Sequence, residues 1–115
     1  MSLHRGQVVM VDWSFSDRMG SKIRPAVVVQ ADFLNQRIHD TVLVLITKKS
    51  RHAQSTEVEI DPAVEKQSGL LYPSVAVCNN LMTLDQTLIV RDIGALSDAI
   101  MKEIEERLKT ALAIR

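Results

Sequence analysis

The hydrophobic period of this chain changes once, near Leu96, and that change limits the folds open to it. Downstream, Ile100, Ile104, Leu108 and Leu112 recur at four-residue spacing, the stripe of an amphipathic helix. Ser97 is a fair N-cap, and Asp98 suits the positive end of the helix dipole. Asp98–Lys102, Glu103–Arg107 and Glu105–Lys109 are spaced as i,i+4 ion pairs on the wet side. Upstream, the apolar residues come instead in short, β-branched runs. Gln7–Trp13, Val27–Val29, Thr41–Ile46, Thr56–Ile60, Ser74–Cys78 and Leu88–Ile93 read as strands, since such residues pack well on a pleated surface. Thr56–Ile60 alternates polar and apolar, the pattern of a strand with one wet face. Ser14–Ser21 reads as a loop, and Asp32-Phe33-Leu34 as a helical turn. Asp61-Pro62 reads as an N-cap followed by proline at the first position of a short helix. Short strands closed by one terminal helix predict a mainly β, α+β fold: a small antiparallel barrel with the helix packed on it.

The 115 residues suffice for one domain, 1–115, with a core that needs no disulfide or metal to hold it. Hydrophobic residues at 46% and charged ones at 24% are ordinary globular values, which argues against disorder and a transmembrane origin. The lone cysteine, Cys78, lies in an apolar run and reads as core rather than catalyst. With no signal peptide legible, it predicts a reducing cytoplasm. Net charge is zero, so an overall basic field for nucleic acid is not indicated. Positive residues nevertheless gather at Lys22, Arg24, Lys48, Lys49, Arg51 and His52, and a neutral protein can still carry a basic patch. His4, His39 and His52 are scattered without metal-ligand spacing, so no metal or cofactor is expected.

Two places can carry chemistry. In Lys22-Ile23-Arg24-Pro25-Ala26-Val27-Val28-Val29-Gln30, Pro25 suits the first position of a strand and pushes Arg24 towards an extended backbone. Arg24 then stands at the strand's mouth with a planar fork that fits a phosphate. Thr47 follows the apolar run that ends at Ile46, and behind it lies Lys48 to His52. Arg24, a Thr47 hydroxyl and flanking cations could hold a phosphodiester. On these residues alone the plainer alternative also stands: a solvated arginine, a threonine that ends a strand, and a charged loop.

An Arg5-Gly6 start into an apolar strand, a loop leading to Arg24-Pro25 before Val-Val-Val-Gln, and Ile46-Thr47 closing the third strand form an ordered series. Glu57-Val58-Glu59-Ile60-Asp61 and the long final helix complete it. Over nearly its whole length the chain resembles the MazF/PemK toxin family. The resemblance implies an SH3-like barrel of the CcdB/PemK/MazF type and a homodimer held inactive by a cognate antitoxin protein. It also implies metal-independent, sequence-selective cleavage of single-stranded RNA without a cofactor. It makes Arg24 and Thr47 the catalytic pair, and Lys22, Lys48, Lys49, Arg51, His52, Asn79 and Asn80 the candidate RNA-binding residues. The expected products are a 2′,3′-cyclic phosphate and a 5′-OH. His52 is a candidate general base by residue type alone.

The chain departs from the family pattern after Cys78. Where the family often has Gln, an apolar residue, Arg and Thr, this sequence reads Asn80-Leu81-Met82-Thr83. The loop from Ser14 to Ile23 also looks shorter and carries fewer acidic and amide groups. Both changes bear on which RNA sequence is recognised. Two further functions fit the same fold. A gyrase-poisoning toxin would cut nothing and act through its C-terminus, where Ala113-Ile114-Arg115 offers no aromatic anchor. A degenerate RNA-binding homologue is suggested by Met82.

Overall fold

The valine-rich runs do form strands, several of them longer than the runs themselves. The structure is a computed structural model that describes residues 3–14 and 20–115. Met1, Ser2 and most of the loop expected over Ser14–Ser21 lie outside the described residues. In chain order the elements are β1 (Gln7–Ser14), β2 (Ser21–Val28), α1 (Asp32–Arg37), β3 (Asp40–Lys48), β4 (Glu57–Ile60), β5 (Ser74–Asp85), a 3-10 turn (Gln86–Leu88), β6 (Arg91–Ala95) and α2 (Asp98–Leu112). The strands make one antiparallel sheet in the order β4-β5-β3-β2-β1-β6. It curls into a half-barrel, so the expected barrel architecture with its C-terminal helix holds.

Alternation along the central strands feeds two cores. Val8, Val27, Val44, Ile46, Ala76 and Cys78 face Met101 and Ile104 of α2. Val9, Val11, Trp13, Ala26, Val28, Leu43 and Leu45 form the second cluster with Leu3. Leu43 to Ile46 thus enter the two clusters alternately, which is why that run is apolar throughout. The stripe expected on α2 buries Ile104 and half-buries Ile100 and Leu108, while Leu112 is exposed. Ser97 accepts from the backbone N–H of Ile100, the N-cap read from sequence.

Four expectations are corrected. Arg24 is the fourth residue of β2 rather than its mouth, because β2 is paired with β1 as far as Ser14 and Ser21. Asp61-Pro62 opens hydrogen-bonded turns, not a helix: the N–H groups of Val64 and Glu65 reach the Asp61 carbonyl, and that of Ala63 its carboxylate. The turns are tethered to α2 at their end, where the Glu65 carboxylate is bound to the Ser97 N–H at 2.7 Å and hydroxyl at 2.9 Å. β5 runs on past Cys78 to Asp85, absorbing residues 78–80 as a bulge opposite Val44 and Leu45. The three i,i+4 pairs expected on α2 are not formed among the described residues; Arg5–Glu105 and Glu106–Lys109 pair instead, each at 3.7 Å.

Candidate active site

β2 and β3 bring the two reactive side-chain types together through register. Their ladder pairs Val28 with Leu43, Val27 with Val44 and Ala26 with Leu45. Continuing that register two residues sets Arg24 across from Thr47, on the same face of the sheet. The ladder stops just short of Pro25, which has no N–H to give a neighbour. Past that point the two strands border a cleft of about 220 Å³ that takes residues from both, Lys22 to Pro25 and Ile46 to Lys48. Met10, Ile93 and the segment Gly69 to Tyr72 line the rest of it.

That last segment is held firmly. Gly69 sits at φ +75°, and a Cβ there would fall 2.0 Å from the Ile93 carbonyl oxygen, so the loop lies backbone to backbone on β6. The Ala95 N–H donates to the Gln67 carbonyl at 2.8 Å, and the Lys49 N–H to the Pro73 carbonyl at 2.9 Å. The Lys48 ammonium stands 5.1 Å from the centre of the Tyr72 ring.

The cations expected from sequence divide into two groups. Lys22, Arg24 and Lys48 line the cleft, and none makes an ion pair among the described residues. Lys49 and Arg51 are already paired. The Lys49 ammonium meets Glu59 at 2.8 Å, and the Arg51 guanidinium meets both Glu57 oxygens, at 3.0 and 3.3 Å. Arg51 and Lys49 line a separate, shallower cleft with Ser50, His52 and Pro73. Glu57, expected on a wet face, is buried. Hydrogen bonds from Arg51 and the Gln54 N–H hold its carboxyl below the usual value, against burial that pushes it up. Lys49 likewise lowers Glu59.

Asn79 and Asn80 stand in the β5 bulge and do not line the cleft; the Asn79 side-chain oxygen accepts from the Thr56 hydroxyl at 3.0 Å. Met82 pairs with Leu43 and packs against the second core. A guanidinium missing there leaves the cleft's own cations in place. Cys78 is core, its thiol pushed up to about 11 by burial. Among the described residues, no three His, Cys, Asp or Glu side chains stand close enough to share a metal ion, and no helix is long and apolar enough to cross a membrane.

A larger, open cleft of about 460 Å³ lies between α1 and the 3-10 turn. Part of its lining is bonded internally: Gln86 donates to the Asn35 and Ile38 carbonyls, and Asp85 accepts from the Thr87 N–H and hydroxyl. The smaller cleft is the better candidate, because it gathers three cations, Lys22, Arg24 and Lys48, that make no ion pair among the described residues, beside Thr47. Sequence reasoning missed the Tyr72 wall. Its signal is the apolar triplet Leu70-Leu71-Tyr72 between a glycine and a proline, of which only Leu70 packs against the core.

Residues 4–112 match the model of the PemK-like, MazF-like toxins of type II toxin–antitoxin systems. The Staphylococcus saprophyticus endoribonuclease MazF is 30% identical over 116 residues, spanning 97% of this chain and 92% of that protein. A mycobacterial endoribonuclease solved with its cognate antitoxin superposes with a TM-score of 0.78 at 26% identity, over 99% of this chain and 98% of that one. A MazE–MazF structure from Deinococcus radiodurans gives 0.76 at 17% identity over the full length of both chains, a likeness of fold.

Proposed function

This chain belongs to the PemK-like, MazF-like toxins of type II toxin–antitoxin systems and is an endoribonuclease of that kind, and we propose that it cuts single-stranded RNA by attack of a ribose 2′-hydroxyl on the adjacent phosphorus. The P–O bond to the 5′-oxygen of the next nucleotide breaks as the new P–O bond forms. The 2′-hydroxyl gives up its proton, the leaving oxygen takes one, and the ends are a 2′,3′-cyclic phosphate and a 5′-OH. DNA lacks the nucleophile and is not a substrate. The chemistry asks for no metal and no cofactor.

The observation that carries this reading is the single cleft that Arg24 and Thr47 line together with Lys22 and Lys48. Arg24 stabilises the charge that develops on the phosphorane and orients the proton donor to the leaving oxygen. Thr47 donates a hydrogen bond that holds the phosphate in line. Lys22 and Lys48 attract the polyanion. In the cell the partners are a second copy of the chain and a cognate antitoxin. The antitoxin is an acidic segment that orders on binding and covers the cationic cleft. The compartment is the cytoplasm.

The test is incubation of a long single-stranded RNA with purified protein in excess EDTA, beside Arg24→Ala and Thr47→Ala, with both product ends mapped. Discrete cuts ending in cyclic phosphate, lost in both folded variants, are expected. Cutting that survives in both variants would move the chemistry elsewhere on the molecule.

A further inference from the structure

We propose that Tyr72 is the stacking platform for the nucleobase flanking the scissile phosphate, with Lys48 fixing the ring. The inference rests on the ribonuclease reading above and assigns a substrate-binding role to a side chain of the same cleft.

The chain has few aromatic residues, 3% in all. Trp13 is buried in the second core, and Phe33 lies on α1, away from the cleft. Among the described residues Tyr72 is the one aromatic side chain at the cleft. It is 48% exposed, and its neighbour Leu71 is 89% exposed. A tyrosine and a leucine held in water on a pinned turn have no folding role to explain them. Three features pin the turn: the Tyr72 carbonyl accepts from the Ser74 hydroxyl at 2.8 Å, Pro73 follows, and Gly69 is locked against β6. The ring therefore meets a ligand with little ordering left to do.

Lys48 gives the ring its orientation. An ammonium 5.1 Å from the ring centre is held by the electron-rich face. With nearly half the residue exposed, ring surface remains open to a base. Lys48 and Thr47, successive residues of β3, both line the cleft, so the ring, its cation and the threonine border one space. A phosphate at Arg24 and Thr47, a cation beside it and a flat apolar surface beyond are the parts from which proteins build single-strand sites. The cleft, at about 220 Å³, is below the size of ordinary small-molecule pockets, which suits a phosphate and one adjoining group.

The experiment uses short RNAs carrying one mapped cut site, with the base 5′ or 3′ of the cut replaced in turn by an abasic unit. Binding is measured on analogues with a 2′-deoxyribose at the cut, which cannot react. Tyr72→Ala is expected to raise Kd and KM roughly 5- to 150-fold, the span of base–aromatic stacking, with a smaller change in kcat. Tyr72→Phe and Tyr72→Trp restore binding, since each keeps a ring. On RNA lacking the flanking base, wild type and Tyr72→Ala bind alike. A 2-aminopurine at that position is quenched by wild type and not by Tyr72→Ala. Equal loss on intact and abasic RNA would reduce Tyr72 to a structural residue and overturn the proposal. So would unchanged RNA binding with weakened antitoxin binding, which would make the ring a protein-docking residue. Failure of wild type to cut any RNA would instead sink the ribonuclease reading itself.

Discussion

Two glutamates at neighbouring odd positions of β4 decide what the basic loop can do. Glu57 is buried and takes both arms of the Arg51 guanidinium and the Gln54 N–H, while Glu59 takes Lys49. A carboxylate buried with three donors is worth keeping charged, and removing its partners would leave a desolvated group unsatisfied. Because its pKa is lowered from 4.5 by these bonds, the stabilisation is fully present above that value and is lost as pH falls through the lowered one. Urea midpoints of wild type should therefore fall more steeply between about pH 5 and pH 3 than those of Glu57→Gln, which has no charge to lose there. At pH 7 Glu57→Gln should be the less stable by about 1–3 kcal/mol. Parallel pH profiles for the two proteins would mean that the Arg51 pair contributes nothing to folding.

At the level of elements, the loop from Asp61 to Pro73 is a structural part rather than a connection. It is fixed by Gly69 and Gly94 on β6 and by Glu65 on the first turn of α2. Gly69→Ala should lower the urea midpoint by an amount equal to about 2 kcal/mol or more, with the m-value unchanged, because both the positive φ and the contact with Ile93 oppose a side chain. The same variant should weaken RNA cleavage, since the loop carries Leu71 and Tyr72. A variant as stable as wild type would show that the loop yields without cost. None of this was legible in the sequence, where Asp61-Pro62 promised a helix and Gly69 only a break. What was legible came from unbroken period: α2 with its Ser97 cap, and the β1 and β3 runs. Asn79-Asn80 read as the end of a strand, since two polar residues interrupt an apolar run. A bulge opposite Val44 and Leu45 absorbs them instead. Arg24 and Thr47 could be picked out as residue types, but their meeting depends on how β2 pairs with β3, and the connection through α1 has no tight turn to fix that register.

Over the whole molecule, zero net charge leaves no long-range field to draw RNA in, so affinity must come from the few cations at the cleft. The structure puts Lys22, Arg24 and Lys48 there and ties Lys49 and Arg51 to β4. Each phosphate neutralised on a single strand contributes about −0.7 to the slope of log K against log salt. Three cations thus give a slope of about −2, shallow for a nucleic-acid enzyme. The measurement is RNA binding by Thr47→Ala, which leaves the substrate whole and carries no charge change, between 50 and 300 mM salt. Adding Lys22→Gln should flatten the slope by about 0.7, whereas adding Lys49→Gln should leave it as it was. A slope steeper than about −3 that Lys49→Gln and Arg51→Gln each reduce would mean that RNA pulls both residues from Glu59 and Glu57. The basic loop would then open on binding, and the RNA-bound protein would hold five cations on one track where the free one holds three.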